Sequence, residues 1–131
     1  MSHHIDGMVI TLENIGNFSL QEVFDQCYSH LMLQQQKSLD SAGNCVYRHT
    51  DDDGTVTRCA LGCFIPDSLY NEDFEETALY QVMEALEIDI YVITRQLLRD
   101  LQKVHDFRRP EQWSDALHAV ADEYDLVFKG A

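Results

Sequence analysis

Cys45, His49, Cys59 and Cys63 are the residues whose types and grouping could do chemistry, since thiols and imidazoles supply metal ligands, bases and nucleophiles. Written as C-x3-H followed by C-x3-C, they invite a zinc reading. Structural zinc sites in hairpins favour C-x2-C knuckles, whose tight turn aims two sulfurs at one tetrahedral centre. Along an extended strand Cys59 and Cys63 would stand about 13 Å apart, too far for one ion unless the strand bends at Gly62. Zinc on Cys45, His49, Cys59 and Cys63 is therefore the lesser alternative, and the expectation is a chain with no metal and no cofactor. Thiol catalysis needs a Cys beside a His in an electropositive setting. Cys59 adjoins Arg58 and faces Tyr47 or His49 across a hairpin, but the surrounding field is acidic and raises a thiol pKa. Packed thiols are the better reading, and Cys27, inside a helical apolar stripe, reads as a small core residue.

Other chemistry-bearing patterns are weaker. Asp51-Asp52-Asp53-Gly54 resembles part of a calcium loop but lacks the alternating ligand spacing and late Glu of an EF-hand, so it reads as a solvated turn. No phosphate loop, nucleophile elbow or zinc-protease helix motif occurs. No catalytic residue is assigned, and the chain is expected not to be an enzyme. Four cysteines in a chain without a secretory signal point to free thiols and the cytoplasm.

The elements that must position these residues can be read from periodicity. Residues 1–8, which include His3 and His4, are expected to be a loose tail, native or appended, and 9–131 a single α+β domain. Val9–Leu12 reads as an edge strand. Ser19 and Glu22 form a capping box, and Leu20, Val23, Phe24, Cys27, Tyr28 and Leu31 make the stripe of a helix that fades near Gln34–Gln36. Cys45–Thr50 and Thr55–Phe64 read as the arms of a hairpin within Gly43–Tyr70, the expected centre of a small antiparallel sheet of about three strands. Pro66 ends the return arm, and Asp67 is placed to cap a turn running to Tyr70. Three further helices are expected over Thr77–Leu86, over Ile90–Phe107 with Asp89 as cap, and after Pro110. The third of the four carries Ile90, Ile93, Leu97, Leu101 and Val104, with Leu98 and His105 at its margin; the last buries Trp113, Ala116, Leu117, Val120, Ala121 and Tyr124. Leu126–Phe128 packs down or adds a short strand.

Charge is the strongest global fact: 23 acids against 9 bases give −14. Direct binding to nucleic acid is disfavoured, because that association needs clustered Lys and Arg to release counterions. No Lys or Arg occurs between Arg58 and Arg95, while Asp67, Glu72, Asp73, Glu75, Glu76, Glu84, Glu87 and Asp89 accumulate there. With Asp51, Asp52 and Asp53, the group Glu72, Asp73, Glu75 and Glu76 can form a negative face that imitates nucleic-acid phosphates toward a basic partner. Solubility alone is the competing account. Arg95, Arg99 and Lys103 fall at i, i+4 and i+8 of one helix. They either pair with the acidic segment or form a second patch that supports a homodimer. No run of apolar residues is long enough to span a membrane.

Cys45, Tyr47 and Arg48 fit C-x-Y-R, and Cys59, Ala60, Gly62, Cys63, Ile65, Pro66, Asp67 and Tyr70 fit C-A-x-G-C-x-I-P-D-x-x-Y. With LQEVFD in the first helix and LLRDLQKVHD in the third, this order resembles a group of small bacteriophage and prophage proteins over about Leu20–Leu126. The resemblance carries no catalytic residue with it. It implies a context in which accessory proteins bind and inhibit host or defence factors. The resulting expectation is an acidic, DNA-mimicking inhibitor of a host or bacterial defence protein whose basic surface handles nucleic acid. A small-molecule or zinc module on Tyr47, Arg48, His49 and the thiols is the alternative.

Overall fold

Ser19 starts the first helix with a reciprocal cap: its Oγ accepts from the Glu22 N–H at 3.1 Å, and Glu22 Oε1 accepts from the Ser19 N–H at 2.9 Å. Helix α1 (Leu20–Gln34) buries Val23, Phe24, Cys27 and Leu31, as its periodicity predicts, and ends at Gln35 in the left-handed conformation. A computed structural model of the chain describes residues 9–77 and 79–128, with the backbone alone at Glu76, Leu79 and Tyr80. The N-terminal tail with His3 and His4 lies outside the described residues.

Strands β1 (Arg48–Thr50) and β2 (Val56–Arg58) pair antiparallel, with Arg48 opposite Arg58 and Thr50 opposite Val56. Helices α2 (Leu79–Ala85), α3 (Val92–Phe107) and α4 (Trp113–Glu123) follow. The chain is a small α+β domain, with about 52% of the described residues in helices and 7% in strands. Helices α1, α3 and α4 pack against one another, and Trp113, Leu97, Leu98, Leu101, Leu117 and His105 are completely buried among them. No helix of the described residues is long and apolar enough to cross a membrane.

Several expectations are corrected. Val9–Leu12 is not a strand: Thr11–Asn14 closes as a turn, and the side chain of Gln26 on α1 satisfies both the N–H and the C=O of Ile10. One backbone bond, Leu12 N–H to Phe64 O at 2.8 Å, is what remains of sheet-like pairing there. The sheet accordingly has two strands among the described residues. The return arm stops at Arg58, because β-branched residues give way to Cys-Ala-Leu-Gly, and Gly62–Phe64 winds into a 3-10 turn. Gln34 does for β2 what a third strand would do: its amide accepts from the Arg58 N–H and donates to the Arg58 C=O, at 2.9 and 2.8 Å. Asp89 does not cap α3, which starts three residues later behind Tyr91 with no side-chain cap. The buried face of α3 is Thr94, Leu97, Leu98, Leu101, Val104 and His105, so Leu98 and His105 are core and Ile93, 46% exposed, is not. Asp67 turns toward Arg48 and Arg58, while the turn above it closes through Leu69 and Tyr70 N–H onto the Pro66 carbonyl.

The C-terminal stretch packs down: the Phe128 ring stacks on His118 and meets Tyr28 edge-on, and Gln21 bonds both backbone groups of Val127. Pro110 begins a 3-10 turn that leads into α4, the position where a missing N–H costs nothing.

His30 on α1 faces the same Arg58 carbonyl that Gln34 binds, with Nε2 2.8 Å away. Burial pulls its imidazole below the ordinary 6.5, by more than the Arg58 carbonyl raises it. A depressed folded value means that the stability tied to neutral His30 is present above 6.5 and is lost as the pH falls below it. Relative to His30→Gln, the wild-type domain should therefore lose stability between about pH 7 and pH 5. Denaturant unfolding of both proteins at the two pH values checks this; a stability difference that does not change with pH would contradict it.

Candidate functional site

The hairpin and α3 do not close against each other. Between them lies a cleft of about 660 Å³. One wall is Cys45, Val46 and Tyr47 at the entry to β1, with Cys59 and Leu61 beyond β2. The opposite wall is the outward side of α3, where Arg95, Arg99, Gln102, Lys103 and Asp106 recur at steps of three and four. Glu75 and Thr77 close one end.

Glu75 holds this architecture together. Its carboxylate accepts from the backbone N–H groups of Tyr47, at 2.7 Å, and Arg48, at 3.2 Å, and from the Tyr70 hydroxyl. The Tyr47 hydroxyl donates to the Thr77 carbonyl at 2.7 Å. The acidic 3-10 turn Glu72–Glu76, started by Asn71, is thereby pinned to the first strand. Arg48 and Arg58 are cross-strand neighbours of like charge, an arrangement that costs stability without a shared anion. Asp67 supplies it: Arg48 Nε lies 2.9 Å from Oδ1 as an ionic contact and Arg58 Nη2 bonds the same oxygen at 3.2 Å. The Arg48 guanidinium also sits over the Tyr70 ring, 5.6 Å from its centroid.

The thiols divide in two. Cys27 and Cys63 are buried and both donate to the Ala60 carbonyl; Cys59 is buried and its Sγ accepts from the Gly62 N–H. Burial raises the Cys59 and Cys63 thiols far above their ordinary value. They are protonated packing groups, as the sequence predicts, although they sit on a helical turn and not on a strand. The 13 Å separation computed for a strand therefore does not apply, and the argument against zinc at Cys59 and Cys63 is instead their burial and internal bonding. His49 does not join them.

Cys45 stands apart. It is exposed and, with His105 and Asp106, forms the one group among the described residues whose potential ligand atoms lie within 4.8 Å of one another. His105 Nε2 accepts from the Ser38 N–H at 2.9 Å, so its proton resides on Nδ1, which donates to Asp106 at 2.7 Å. A metal on Nδ1 would move that proton to Nε2 and set two donors face to face. The imidazole is thus a poor ligand, and a poor base for Cys45. Partial desolvation against the protein, then the neighbouring Asp106, pushes the Cys45 thiol up to about 11. Burial would raise Asp106 as well, but the hydrogen bond from His105, with help from those of Gln102 and Cys45, holds it below the usual carboxylate range. This cluster fastens α3 to the connector 37–45. Among its members, His105 was legible in the sequence only as a marginal helix position and Gln102 was not singled out; the i, i+4 spacing of Gln102 and Asp106 was the available signal.

The other predicted residues fall as follows. Asp51, Asp52 and Asp53 occupy the exposed hairpin turn, which Gly54 completes at φ +88° and which Asp51 and Asp53 tie by accepting from the Thr55 N–H. Glu72 and Asp73 are exposed; Glu75 is half-buried and internally used; the side chain of Glu76 is outside the described residues. Arg95, Arg99 and Lys103 line the cleft, and no ion pair among the described residues involves them, so they do not lie against the acidic segment as surface salt bridges. No protein-family model matches the chain, and no match is found among curated proteins or solved structures.

Proposed function

We propose that this chain is a non-enzymatic, phage-type accessory protein that binds and inhibits a host or bacterial defence protein through its acidic face, in the host cytoplasm. The observation that carries the reading is the Glu75 clamp, which fixes the Glu72–Glu76 turn to the start of the strand whose far end bears Asp51–Asp53. About 13 Å of extended chain separates the point where Glu75 holds Tyr47 from the Asp51–Asp53 turn. Paired negative clusters on a rigid edge suit a basic surface that normally holds nucleic acid, and they steer association at long range. The raised thiols and the locked His105 weigh against a nucleophilic centre.

The test separates clamp from contact. Asp52→Lys, Glu72→Lys and Asp73→Lys together reverse exposed charges that take no part in the side-chain bonds of the turn or the clamp. A tagged wild-type protein is expected to capture a basic, nucleic-acid-binding partner from a bacterial lysate, and the triple variant to lose that capture at least ten-fold while its circular dichroism and thermal unfolding stay unchanged. Equal capture by the folded variant would overturn the reading.

A further inference from the structure

We propose that the cleft between the hairpin and α3 is a binding site for a nucleoside polyphosphate, with the phosphate chain along Arg95, Arg99 and Lys103 and the base against Val46, Tyr47 and Leu61. The three cations step along one face of α3 over about 12 Å, the length of a few linked phosphates with their sugar and too long for a single one. In a chain of net charge −14, cations ordinarily find carboxylates, yet these three have no ion pair among the described residues. The two carboxylates in the cleft make other bonds and no ion pair with them. Glu75 is taken by Tyr47, Arg48 and Tyr70, and Asp106 by His105 and Gln102. Gln102 is likewise committed, donating to Asp106 while accepting from the Leu61 N–H.

What remains is a row of uncommitted positive charge facing an apolar wall, in a volume within the range of small-molecule sites. The rest of the molecule selects the size of the anion. A long phosphate backbone would meet the repulsion of −14 over its whole length, whereas a small polyanion inside the cleft lies beside the three cations, within about one screening length of them. An organic body is required to use Val46, Tyr47 and Leu61; inorganic phosphate chains would leave that wall uncovered. This site rests on the cations of α3 and uses none of Asp51, Asp52, Asp53, Glu72 or Asp73, so it stands or falls independently of the acidic-face reading.

Isothermal titration of the full chain with the four ribonucleoside triphosphates, inorganic triphosphate and adenosine tests it. At least one nucleotide is expected to bind, inorganic triphosphate and adenosine each at least ten-fold more weakly. The Arg95→Gln/Arg99→Gln/Lys103→Gln variant is expected to lose at least ten-fold in nucleotide affinity with its unfolding curve unchanged. Should half-buried Arg95 prove needed for folding, Arg99→Gln/Lys103→Gln, at two exposed positions, is expected to lose at least three-fold. No binding of any nucleotide, inorganic triphosphate as tight as the best nucleotide, or undiminished binding by the folded variants would overturn the proposal.

Discussion

Gly62→Ala should destabilise the domain by about 3 kcal/mol or more, at the upper end of overpacking costs. A Cβ at position 62 would stand 2.0 Å from the Tyr47 carbonyl oxygen and 3.0 Å from its carbon, and both are backbone atoms with no rotamer to move to. That same oxygen accepts from the Cys59 N–H at 3.2 Å, so displacing it breaks the last rung between the entry to β1 and the turn after β2. The consequence extends beyond the hairpin, because Cys59–Ile65 is completely or nearly completely buried against α1. Denaturant unfolding measures the effect directly. A loss under about 1 kcal/mol would mean that the turn moves aside freely, and the close approach of Tyr47 to Gly62 would not be a constraint on the fold.

Glu75→Ala should cost about 2 to 3 kcal/mol, whereas Glu72→Ala and Asp73→Ala should each lie within about 0.5 kcal/mol of wild type. All three residues belong to one acidic turn, and composition treats them alike. Only Glu75 accepts from two backbone N–H groups and a tyrosine hydroxyl, and removing its carboxylate leaves the Tyr47 and Arg48 N–H groups without that partner. Hydrogen bonds to an ionised acceptor exceed neutral ones, which is why this loss outweighs an ordinary side-chain contact. Thermal unfolding of the three variants side by side distinguishes the clamp from its exposed neighbours. Equal effects at Glu72 and Glu75 would remove the clamp, and with it the fixed geometry of the acidic edge.

The parts of this fold that were legible in the sequence are those set by local rules. Ser19 with Glu22 announced α1, the Val23–Leu31 stripe gave its buried face, Pro110 marked the approach to α4, and Asp51–Gly54 gave the turn. The errors arose where one side chain substitutes for a backbone partner. Val9–Leu12 has strand-forming residues, but Gln26 satisfies Ile10 from α1, and no periodicity encodes a bond spanning 16 positions. Cys59–Phe64 alternates like a strand, and only Gly62 hinted that the chain would curl; the carbonyl pressing on it comes from Tyr47, 15 positions earlier. Position His105 looks marginal on α3 because imidazole is polar, yet it is buried with Ser38 and Asp106 on either side and Trp113 stacked 5.7 Å away. The candidate site followed the same pattern. The row Arg95, Arg99 and Lys103 was visible as spacing, but the cleft it faces depends on the hairpin docking across from α3. Glu75 was counted among the acids of the surface, and only its three donors distinguish it.

The two charge features also complement each other. Glu75 and Thr77 stand at the junction of the acidic turn and the basic cleft, so one short segment sets the position of both.

Salt dependence of partner binding is the measurement that bears most directly on the central claim of an acidic contact face. From about 0.1 M to about 1 M salt the screening length falls from about 10 Å to about 3 Å. The dissociation constant of the captured partner, measured across that range, should rise at least ten-fold for the wild-type chain and much less for the Asp52→Lys/Glu72→Lys/Asp73→Lys variant. A wild-type dissociation constant that stays level across that range would contradict the account.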